Sequence, residues 1–470
     1  MKSKVVRVWT ASVLLTAAMG LAGGMVWATD QSVLTPSVNN FEATQKTTTV
    51  QITYGKSASI TLPIGTQLPV GDKLQLSQSV ELEYTTGNPS IAKVNARGVL
   101  IPVSPGTTTL TIRVSSAEPY TGQLKLPVTV SKAQPVTLAF KPKLEVRRIK
   151  LGSSSFTVQT VTIPKGMTAA VGFANSRVGS TQPLAGIASN YRAAIAINGT
   201  FFDAYTDVPD PYGHLISGGM AEHIGNRGTT IGFKWDGSAV MDSLRMSIRG
   251  TIVRKDGRTA SWYAYFMNRK PTGSASAILF TPKRGKMLGF AADTAVIVRN
   301  NMVTSVRHGI NVSIPADGYV LVFQGNEKGQ AERFEAGARV NYAINLTNMQ
   351  GKQLDWSGVH TAVGAGPRLV TNGAVSLNPA AEGFKDPKIL SGGGARSGIA
   401  IGKDGSILLA TVPGATMKQW AQVMVKLGAQ QAMNLDGGAS SGLWFQGKTI
   451  TAPGRELSNA LLFGQQLKWE

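Results

Sequence analysis

The sequence predicts an α+β protein in which a large mixed-sheet domain follows a small all-β sandwich. Apolar residues make up 42% of the 470 positions and glycine occupies 53, which is typical of a turn-rich, β-dominated globular chain. Short strands recur between residues 50 and 131, whereas one clear amphipathic helix stands late in the chain, before a buried strand. The length exceeds that of one ordinary domain, so we expect two or three domains.

The first 28 residues predict a cleaved signal peptide. Lys2, Lys4 and Arg7 are followed by an apolar stretch at 8–25, and residues 26–28 resemble a small-residue cleavage site. A retained membrane anchor is the alternative, but three glycines in the apolar stretch weaken a span. We therefore expect a secreted or cell-envelope protein with no retained transmembrane span.

The remaining boundaries follow from composition. Residues 29–49 are rich in Ser, Thr, Asn and Gln and are expected to form a flexible lead-in. Residues 50–131 form the predicted sandwich, 132–143 a proline-containing linker, and 144–470 the large domain.

The net charge is +21, and loss of the signal peptide leaves +18 because three basic residues are removed. Basic residues are scattered and are not interleaved with aromatics, so we expect no nucleic-acid partner. An anionic cell-wall polymer is the predicted partner, with simple solubility as the alternative reading of the charge. The absence of cysteine excludes thiol enzymes and cysteine–zinc sites.

Regularly spaced short strands in region 50–131 predict a sandwich of immunoglobulin type. Within it, Gly87–Val94, Gly98–Leu100 and Pro105–Leu110 resemble the bacterial Ig-like domains of group 2. That resemblance implies a spacer or adhesive module without chemistry of its own.

The large domain is expected to be built from hairpins and one late helix. Residues 156–163 and 193–197 read as strands. Four hairpin turns are predicted, at Asp236-Gly237, Asp256-Gly257, Asn372-Gly373 and Asp404-Gly405. Thr416 is expected to cap a helix that Gly428 terminates, with Trp420, Ala421, Met424 and Val425 on one face. The strand 432–435 follows directly.

The strongest chemical signal is the run around Asp436. Asp436 follows the predicted strand, Gly437 and Gly438 allow close backbone approach, and Arg396 and Arg455 supply guanidinium groups. Such a set favours an anionic, hydroxyl-rich ligand. The alternative is that Asp436-Gly437 is only a turn signal.

Two other site types receive less support. Residues 438–442 match G-x-S-x-G, but the last histidine, His360, precedes them and a hairpin is expected to follow, so we reject a serine hydrolase. Ser440 and Ser441 are then ligand hydrogen-bonders or turn residues. The histidines are dispersed, and only His214 is kept as a site candidate. No cofactor is predicted with certainty, and a divalent cation such as calcium or magnesium at Asp436 or Asp203 is left open.

Collinear motifs over about 270 residues resemble the phosphodiester glycosidase family. The matching stretches are residues 196–203, 212–216, 364–370, 396–402, 427–438 and 455–460. The resemblance implies hydrolysis of a carbohydrate phosphodiester at the anomeric carbon. It implies Asp436 as the catalytic carboxylate and Arg396 and Arg455 as phosphate ligands.

Further roles implied by the resemblance are less direct. Glu382 and Asp203 are the reserve carboxylates, with Glu382 placed in the catalytic set. The expected substrate-binding residues are Asn198, Asp203, His214, Arg368, Asn434, Gly437, Gly438, Ser440 and Arg455. Several positions depart from the family pattern: Thr200, Ala365, Ser397, Ala439 and the run Val412-Pro413-Gly414, where the family usually reads Asp-Gly-Arg.

Two alternatives stay open beside this reading. One is a non-catalytic glycan-binding module, which the Val412 departure favours. The other is a metal-dependent phosphodiesterase that breaks a P–O bond.

Overall fold

A computed structural model describes residues 47–55, 57–115, 119–132, 141–273, 275–356 and 358–469. The predicted signal peptide, most of the lead-in and most of the linker lie outside the described residues. Thr47–Glu470 forms one compact unit. In the part of the chain that the structure describes, no helix is both long and apolar enough to span a membrane.

The N-terminal region is an all-β unit with its own hydrophobic core. Its strands are β1 Thr48–Thr49, β2 Ile52–Tyr54, β3 Ile60–Pro63, β4 Leu68–Pro69, β5 Leu74–Leu76, β6 Leu82–Thr86, β7 Ala92–Val94, β8 Val99–Pro102, β9 Gly106–Val114, β10 Tyr120–Thr121 and β11 Gln123–Ser131. A four-stranded sheet (β3-β11-β9-β6) and a three-stranded sheet (β4-β8-β7) are its largest sheets. Leu100, Leu110 and Ile112 are fully buried in this core. Its immunoglobulin type stays a prediction.

The large C-terminal region begins with strands that build its central sheets. They are β12 Lys143–Leu151, β13 Ser154–Ile163, β14 Ala169–Phe173, β15 Ile195–Asn198, β16 Leu215–Ser217, β17 Met220–His223, β18 Thr230–Lys234 and β19 Ala239–Asp242, with helix α1 Leu184–Asn190. The next strands are β20 Arg245–Val253, β21 Thr259–Ala264, β22 Phe266–Met267, β23 Ser276–Phe280, β24 Ala292–Arg299, β25 Met302–Ile310, β26 Gly318–Gln324 and β27 Arg339–Thr347.

The last part of the chain carries the site. Its elements are β28 Val359–Gly364, β29 Arg368–Thr371, β30 Ala374–Val375, α2 Pro387–Leu390, β31 Gly393–Ile401, β32 Ile407–Thr416, α3 Met417–Lys426, β33 Gln431–Asn434, β34 Leu443–Phe445, β35 Lys448–Thr451 and β36 Asn459–Phe463. Short 3-10 turns lie at Gly71–Lys73, Ala174–Ser176, Pro282–Arg284, Gly325–Arg333 and Gly438–Ser440.

These strands form four sheets. Seven strands run in the order β12-β13-β32-β31-β33-β29-β30, and two five-stranded sheets have the orders β14-β36-β15-β34-β35 and β17-β16-β28-β18-β19. The eight-stranded sheet, β21-β20-β27-β25-β24-β26-β23-β22, is mixed because β22 and β23 are parallel. The predicted α+β class with a mixed sheet is confirmed.

The seven-stranded sheet is buried on both faces. On one face it shares a core with the two five-stranded sheets, where Ile197, Leu409 and Met433 are fully buried. On the other face α3 packs with Trp420 and Met424 fully buried. Because β33 lies between β31 and β29 in this sheet, the chain after Asn434 emerges from a rigid support.

Local predictions were largely confirmed. Each of the four predicted turns joins an antiparallel pair. Thr416 caps α3 in a capping box with Gln419. On α3, Trp420, Ala421 and Met424 are buried and Val425 packs partly buried against the same core, and Met417 and Val423 are buried there as well.

The N-terminal unit contacts the large region through backbone carbonyls. Asn95 Nδ2 donates to Gly218 O at 2.8 Å and Arg97 Nη1 to Gly219 O at 2.7 Å. Near the other end of the chain, Trp469 Nε1 donates to Gly65 O at 3.4 Å.

Candidate active site

Asp436 lies two residues past β33 in a cleft of about 290 Å³. The backbone N–H of Gly437 donates to Asp436 Oδ1 at 2.8 Å, and the Asp436 N–H donates to Gly199 O at 3.1 Å. The Ser440 side chain also hydrogen-bonds the carboxylate. These contacts fix the carboxylate at the floor of the cleft.

The cleft is lined by residues from widely separated parts of the chain. They are Phe201, Phe202, Ala204, Tyr205, Tyr212, Arg227, Phe384, Asp386, Lys388, Ile389, Gly393, Gly394, Ala395, Arg396, Asp436, Gly437, Gly438, Ala439, Ser440 and Arg455. Four are cations and two are carboxylates, so the cleft is net positive. It suits an anionic ligand.

Burial raises the pKa of Asp436 to about 6. The Ser440 hydrogen bond, the Gly437 N–H and the Arg455 charge each oppose that rise because they favour the ionised form. A carboxylate whose pKa lies near neutrality is a better proton acceptor than an ordinary one and is still ionised at pH 7. Asp436 therefore has the properties of a general base.

The glycines after Asp436 are required by backbone geometry. A Cβ on Gly437 would lie 2.8 Å from Ala395 O, and Gly438 has a φ of +60°, in the left-handed region. The 3-10 turn Gly438–Ser440 follows, and then strand β34. A strand in place of a helix after Ser440 agrees with the rejection of a nucleophile elbow.

Arg396 is buried, being 3% exposed, and is held by backbone carbonyls. Its Nε donates to Ala415 O at 2.9 Å, and its Nη2 donates to Lys388 O at 2.8 Å and Gly392 O at 2.7 Å. These bonds use Nε and both hydrogens of Nη2, so the two N–H groups of Nη1 are left for a ligand. Burial lowers the pKa of Arg396, and the nearby Asp386 charge opposes this.

Arg455 is half-buried and is held by one aromatic neighbour. Its guanidinium carbon lies 5.0 Å from the ring centroid of Tyr205, and its Nη2 donates to Tyr205 Oη at 2.8 Å. Tyr205 is 89% exposed. Arg455 is thus less constrained than Arg396 and is placed to adjust to a bound anion.

Aromatic side chains form another wall of the cleft. Phe201 and Phe384 pack edge to face at 5.8 Å between centroids, and Phe202, Tyr205 and Tyr212 continue the wall. Apolar walls with a few convergent polar groups are typical of small-ligand sites.

The predicted substrate-binding residues Asn198 and Asn434 lie next to Asp436, but their side chains hydrogen-bond the protein backbone. Asn198 Nδ2 donates to Asp436 O at 2.7 Å, and Asn198 Oδ1 accepts from Gly442 N at 3.0 Å. Asn434 Nδ2 donates to Gly366 O at 3.1 Å. Both are buried, at 1% and 0% exposed, and neither lines the cleft. Their observed contacts are those of positioning residues.

Glu382 and Arg368 lie away from the cleft. Glu382 Oε1 accepts from Arg368 N at 2.7 Å, and Oε2 accepts from Thr229 Oγ1 at 2.7 Å. Burial raises the pKa of Glu382, which these hydrogen bonds oppose. Arg368 Nη2 donates to Met241 O at 2.8 Å. Neither residue is among those that line the cleft.

His214 and Asp203 are also outside the cleft lining. His214 is fully buried, its Nε2 lies 3.1 Å from Leu244 O, and burial lowers its pKa to about 3. Asp203 is half-buried and lies near Tyr212 and Arg269. The structure therefore brings together Asp436, Arg396, Arg455, Gly437, Gly438 and Ser440 in the cleft.

Four polar residues that line the cleft were missed by the sequence reasoning: Tyr205, Arg227, Asp386 and Lys388. Asp386 caps α2, with its side chain accepting from Lys388 N at 2.8 Å. Asp followed by Pro387 is a helix-start signal, which was available in the sequence. Arg227 sits in a loop without any recognisable pattern.

Among the described residues, no group of three or more His, Asp or Glu side chains is arranged to hold a metal ion. Asp436 and Asp386 both line the cleft, while Asp203 does not.

Two departures from the family pattern have clear structural settings. Thr200 N donates to Asn459 Oδ1 at 3.0 Å, and Thr200 Oγ1 accepts from Gly213 N at 3.0 Å, so the threonine is accommodated. Val412 is 3% exposed, pairs with Arg396 across β31 and β32, and packs into the core beneath α3. It does not line the cleft.

Comparison with known proteins bears on the fold and on one segment of the chain. A search of curated proteins finds no match to this chain. Two solved structures share the fold: a hypothetical protein from Synechocystis (23% identity, TM-score 0.59, covering 83% of this chain and 76% of that one) and a putative exported protein from Burkholderia pseudomallei (20%, 0.55, 66% and 74%).

The zebrafish N-acetylglucosamine-1-phosphodiester α-N-acetylglucosaminidase catalytic domain also matches, at 14% identity and a TM-score of 0.38 over 69% of this chain and 82% of that one. The fold likeness rests on the other two structures alone. Residues 292–464 match the family model described as phosphodiester glycosidase, a segment that contains Arg396, Asp436 and Arg455. Residues 292–464 are therefore similar to the phosphodiester glycosidase domains that this model describes.

Proposed function

We propose that the protein hydrolyses sugar-1-phosphodiesters, resembling N-acetylglucosamine-1-phosphodiesters, by breaking the anomeric C–O bond. The observation that carries this proposal is one cleft holding Asp436, whose pKa is about 6, together with the guanidinium groups of Arg396 and Arg455. A carboxylate that accepts a proton and cations that bind phosphate are the two groups the reaction requires.

The proposed reaction uses one water molecule. Asp436 takes a proton from water while the water oxygen bonds to the anomeric carbon. The bond between the anomeric carbon and the phosphate oxygen breaks, and its electron pair leaves on the phosphate oxygen. Arg396 and Arg455 offset the added negative charge on the departing phosphate. A phosphate ester is a good leaving group, so a separate general acid is less necessary than in most glycosidases.

Gly437 and Ser440 hold the carboxylate of Asp436, while Asn198 holds its backbone carbonyl. The aromatic wall of Phe201, Phe384 and Tyr212 offers an apolar surface to the sugar ring. Catalysis of this kind depends on the carboxylate staying in place, so the supporting contacts contribute to rate.

We further propose that the substrate belongs to the cell envelope or to extracellular glycans. The predicted signal peptide supports export, and the charge of +18 after its removal supports attraction to anionic cell-wall polymers. The all-β N-terminal unit is then a spacer or adhesive module on the exported enzyme.

Product analysis on UDP-N-acetylglucosamine tests the proposal. The wild type, Asp436→Asn and the control Asp72→Asn, which changes an exposed carboxylate of the N-terminal unit, are assayed with and without EDTA. Free sugar from wild type and Asp72→Asn, with none from Asp436→Asn, is expected. Sugar-1-phosphate as the product, or loss of turnover with EDTA, would instead favour a metal-dependent phosphodiesterase.

A non-catalytic glycan-binding module is the second candidate, and the buried Val412 favours it. In the family pattern, the position of Val412 usually carries an aspartate. Here Val412 packs into the core, so the cleft lacks that carboxylate. Retained glycan binding by a wild type without turnover would support this candidate. Turnover that depends on Asp436 would refute it.

A further inference from the structure

Two arginines stack on one tyrosine ring at the edge of the cleft. The guanidinium carbons of Arg227 and Arg269 lie 5.3 Å and 5.6 Å from the ring centroid of Tyr212. Arg269 also lies 5.1 Å from the ring centroid of Phe266. Arg227 and Tyr212 line the cleft, and Arg269 extends the cluster beyond it.

Within the part of the chain that is described, neither guanidinium makes a hydrogen bond or an ion pair with protein. Ten N–H donors therefore stand without a protein acceptor. Burial lowers the pKa of Arg269, and the charge of Arg227 lowers it further. The like charges of Arg227 and Arg269 repel each other, and the charges of Asp210 and Asp203 oppose this repulsion at Arg269.

The neighbouring Arg284 shows what a structural arginine looks like here. It is 6% exposed, forms an ion pair with Asp210 and donates to Asn268 O at 3.0 Å. Asp210 also accepts from Lys270 N at 2.6 Å, so its charge is already engaged. Asp210 and Asp203 both act on Arg269 and Tyr212. The three guanidiniums of Arg227, Arg269 and Arg284 face these two carboxylates, so the cluster stays net positive.

We propose that Arg227 and Arg269, held on Tyr212, form a second oxyanion subsite, which binds a phosphate or carboxylate group beyond the scissile phosphate. This inference rests on the proposed function, because it assigns the scissile phosphate to Arg396 and Arg455. It narrows the substrate class to compounds with at least two anionic groups. The second group comes either from the diphosphate of a nucleotide sugar or from the next repeat of a glycosyl-phosphate polymer.

Three substrates separate these cases. Methyl N-acetylglucosamine-1-phosphate carries one anionic group, UDP-N-acetylglucosamine carries two adjacent phosphates, and an oligomer of N-acetylglucosamine-1-phosphate repeats carries phosphates one sugar apart. KM and kcat are measured for each with wild type, Arg227→Gln, Arg269→Gln and the double variant. Arg113→Gln is the control, because it removes one exposed positive charge from the N-terminal unit.

Each subsite variant is expected to raise KM about tenfold for the substrates with two or more anionic groups, because a charge-assisted contact is lost. The increase for the methyl ester should be several times smaller, and kcat should change less than KM throughout. A larger effect on the oligomer than on UDP-N-acetylglucosamine would assign the second anion to a polymer repeat. The opposite ranking would assign it to a diphosphate.

Equal increases in KM for all three substrates, or increases no larger than those of Arg113→Gln, would contradict the proposed subsite. Calorimetric binding of UDP separates this result from a failure of the proposed function. If wild type turns over none of the substrates, yet Arg227→Gln and Arg269→Gln each weaken UDP binding about tenfold, the subsite stands and the hydrolase does not. Unchanged UDP binding in both variants overturns the subsite whatever the activity.

Discussion

The cleft around Asp436 and the polar cluster around Glu382 each hold a carboxylate, but only one of the two is available for chemistry. Both Glu382 oxygens accept from fixed protein donors, Arg368 N and Thr229 Oγ1, and the side chain is 9% exposed. Asp436 accepts from Gly437 N and Ser440 and borders a cleft with two arginines. Burial raises the pKa of each.

The two carboxylates show which observation separates a carboxylate that supports the backbone from one that is open to a ligand. A raised pKa alone does not distinguish them, because burial acts on both. The two carboxylates differ in their surroundings. Glu382 accepts a hydrogen bond from the backbone of Arg368 at the start of β29, whereas Asp436 borders a cleft large enough for a small ligand.

Replacing each carboxylate should give the largest contrast. Asp436→Asn is expected to lower kcat by about 1,000-fold, since general-base groups contribute on the order of 10²–10⁴ in rate. Glu382→Gln keeps an acceptor for Arg368 N and should lower kcat by less than about tenfold. Steady-state kinetics on a sugar-1-phosphodiester measures both, and equal losses would remove the distinction between the two sites.

Replacing Glu382 should lower the free energy of unfolding more than replacing Asp436. Glu382→Ala leaves Arg368 N and Thr229 Oγ1 without their acceptor, so we expect a loss of about 2–4 kcal/mol in the free energy of unfolding. Urea denaturation measures it, with Glu83→Ala at an exposed position of β6 as control. A loss no larger than that of the control would contradict the bracing role.

The pH dependence of kcat should follow Asp436. Because its pKa is about 6 and the ionised form takes the proton, kcat is expected to rise about tenfold per pH unit below 6 and to level off above it. A fall in kcat through pH 6 would show instead that the protonated form is required. Arg455→Gln should move the midpoint upward, because the Arg455 charge favours the ionised carboxylate.

A gain in stability is also expected on removing the charge of Asp436. The folded-state pKa of Asp436 is about 6 and lies above its unfolded value of about 4. The stability that this group contributes is therefore fully present below about pH 4 and is lost as the pH rises through about 6. Because a shift of about two pKa units corresponds to about 3 kcal/mol, Asp436→Asn should exceed wild type by up to about 3 kcal/mol at pH 8 and match it near pH 4. Thermal unfolding at both pH values checks this, and a variant less stable at pH 8 would contradict the buried-charge account.

Much of the fold was predictable because it depends on local signals. Turn pairs such as Asp404-Gly405 and the cap at Thr416 act within a few residues, and each produced the expected hairpin or helix. The position of Asp436 past a buried strand was predictable for the same reason. Arg227 was not, because it reaches the cleft only through the packing of strands distant in sequence.

The roles of the other motif residues depend on contacts that a sequence does not display. Asn198 and Glu382 lie in or near the motifs, but their bonds to Gly442 N and Thr229 Oγ1 span 244 and 153 residues. His214 was kept as a site residue from its motif alone, whereas its burial leaves no surface for a ligand.

Isotope labelling tests the central claim most directly. Wild-type protein hydrolyses UDP-N-acetylglucosamine in water enriched in oxygen-18, and mass spectrometry locates the label in the products. Attack by water at the anomeric carbon, with Asp436 as base, places the label in N-acetylglucosamine and leaves UDP unlabelled. Label in a phosphate group would show that a P–O bond breaks and would contradict the account.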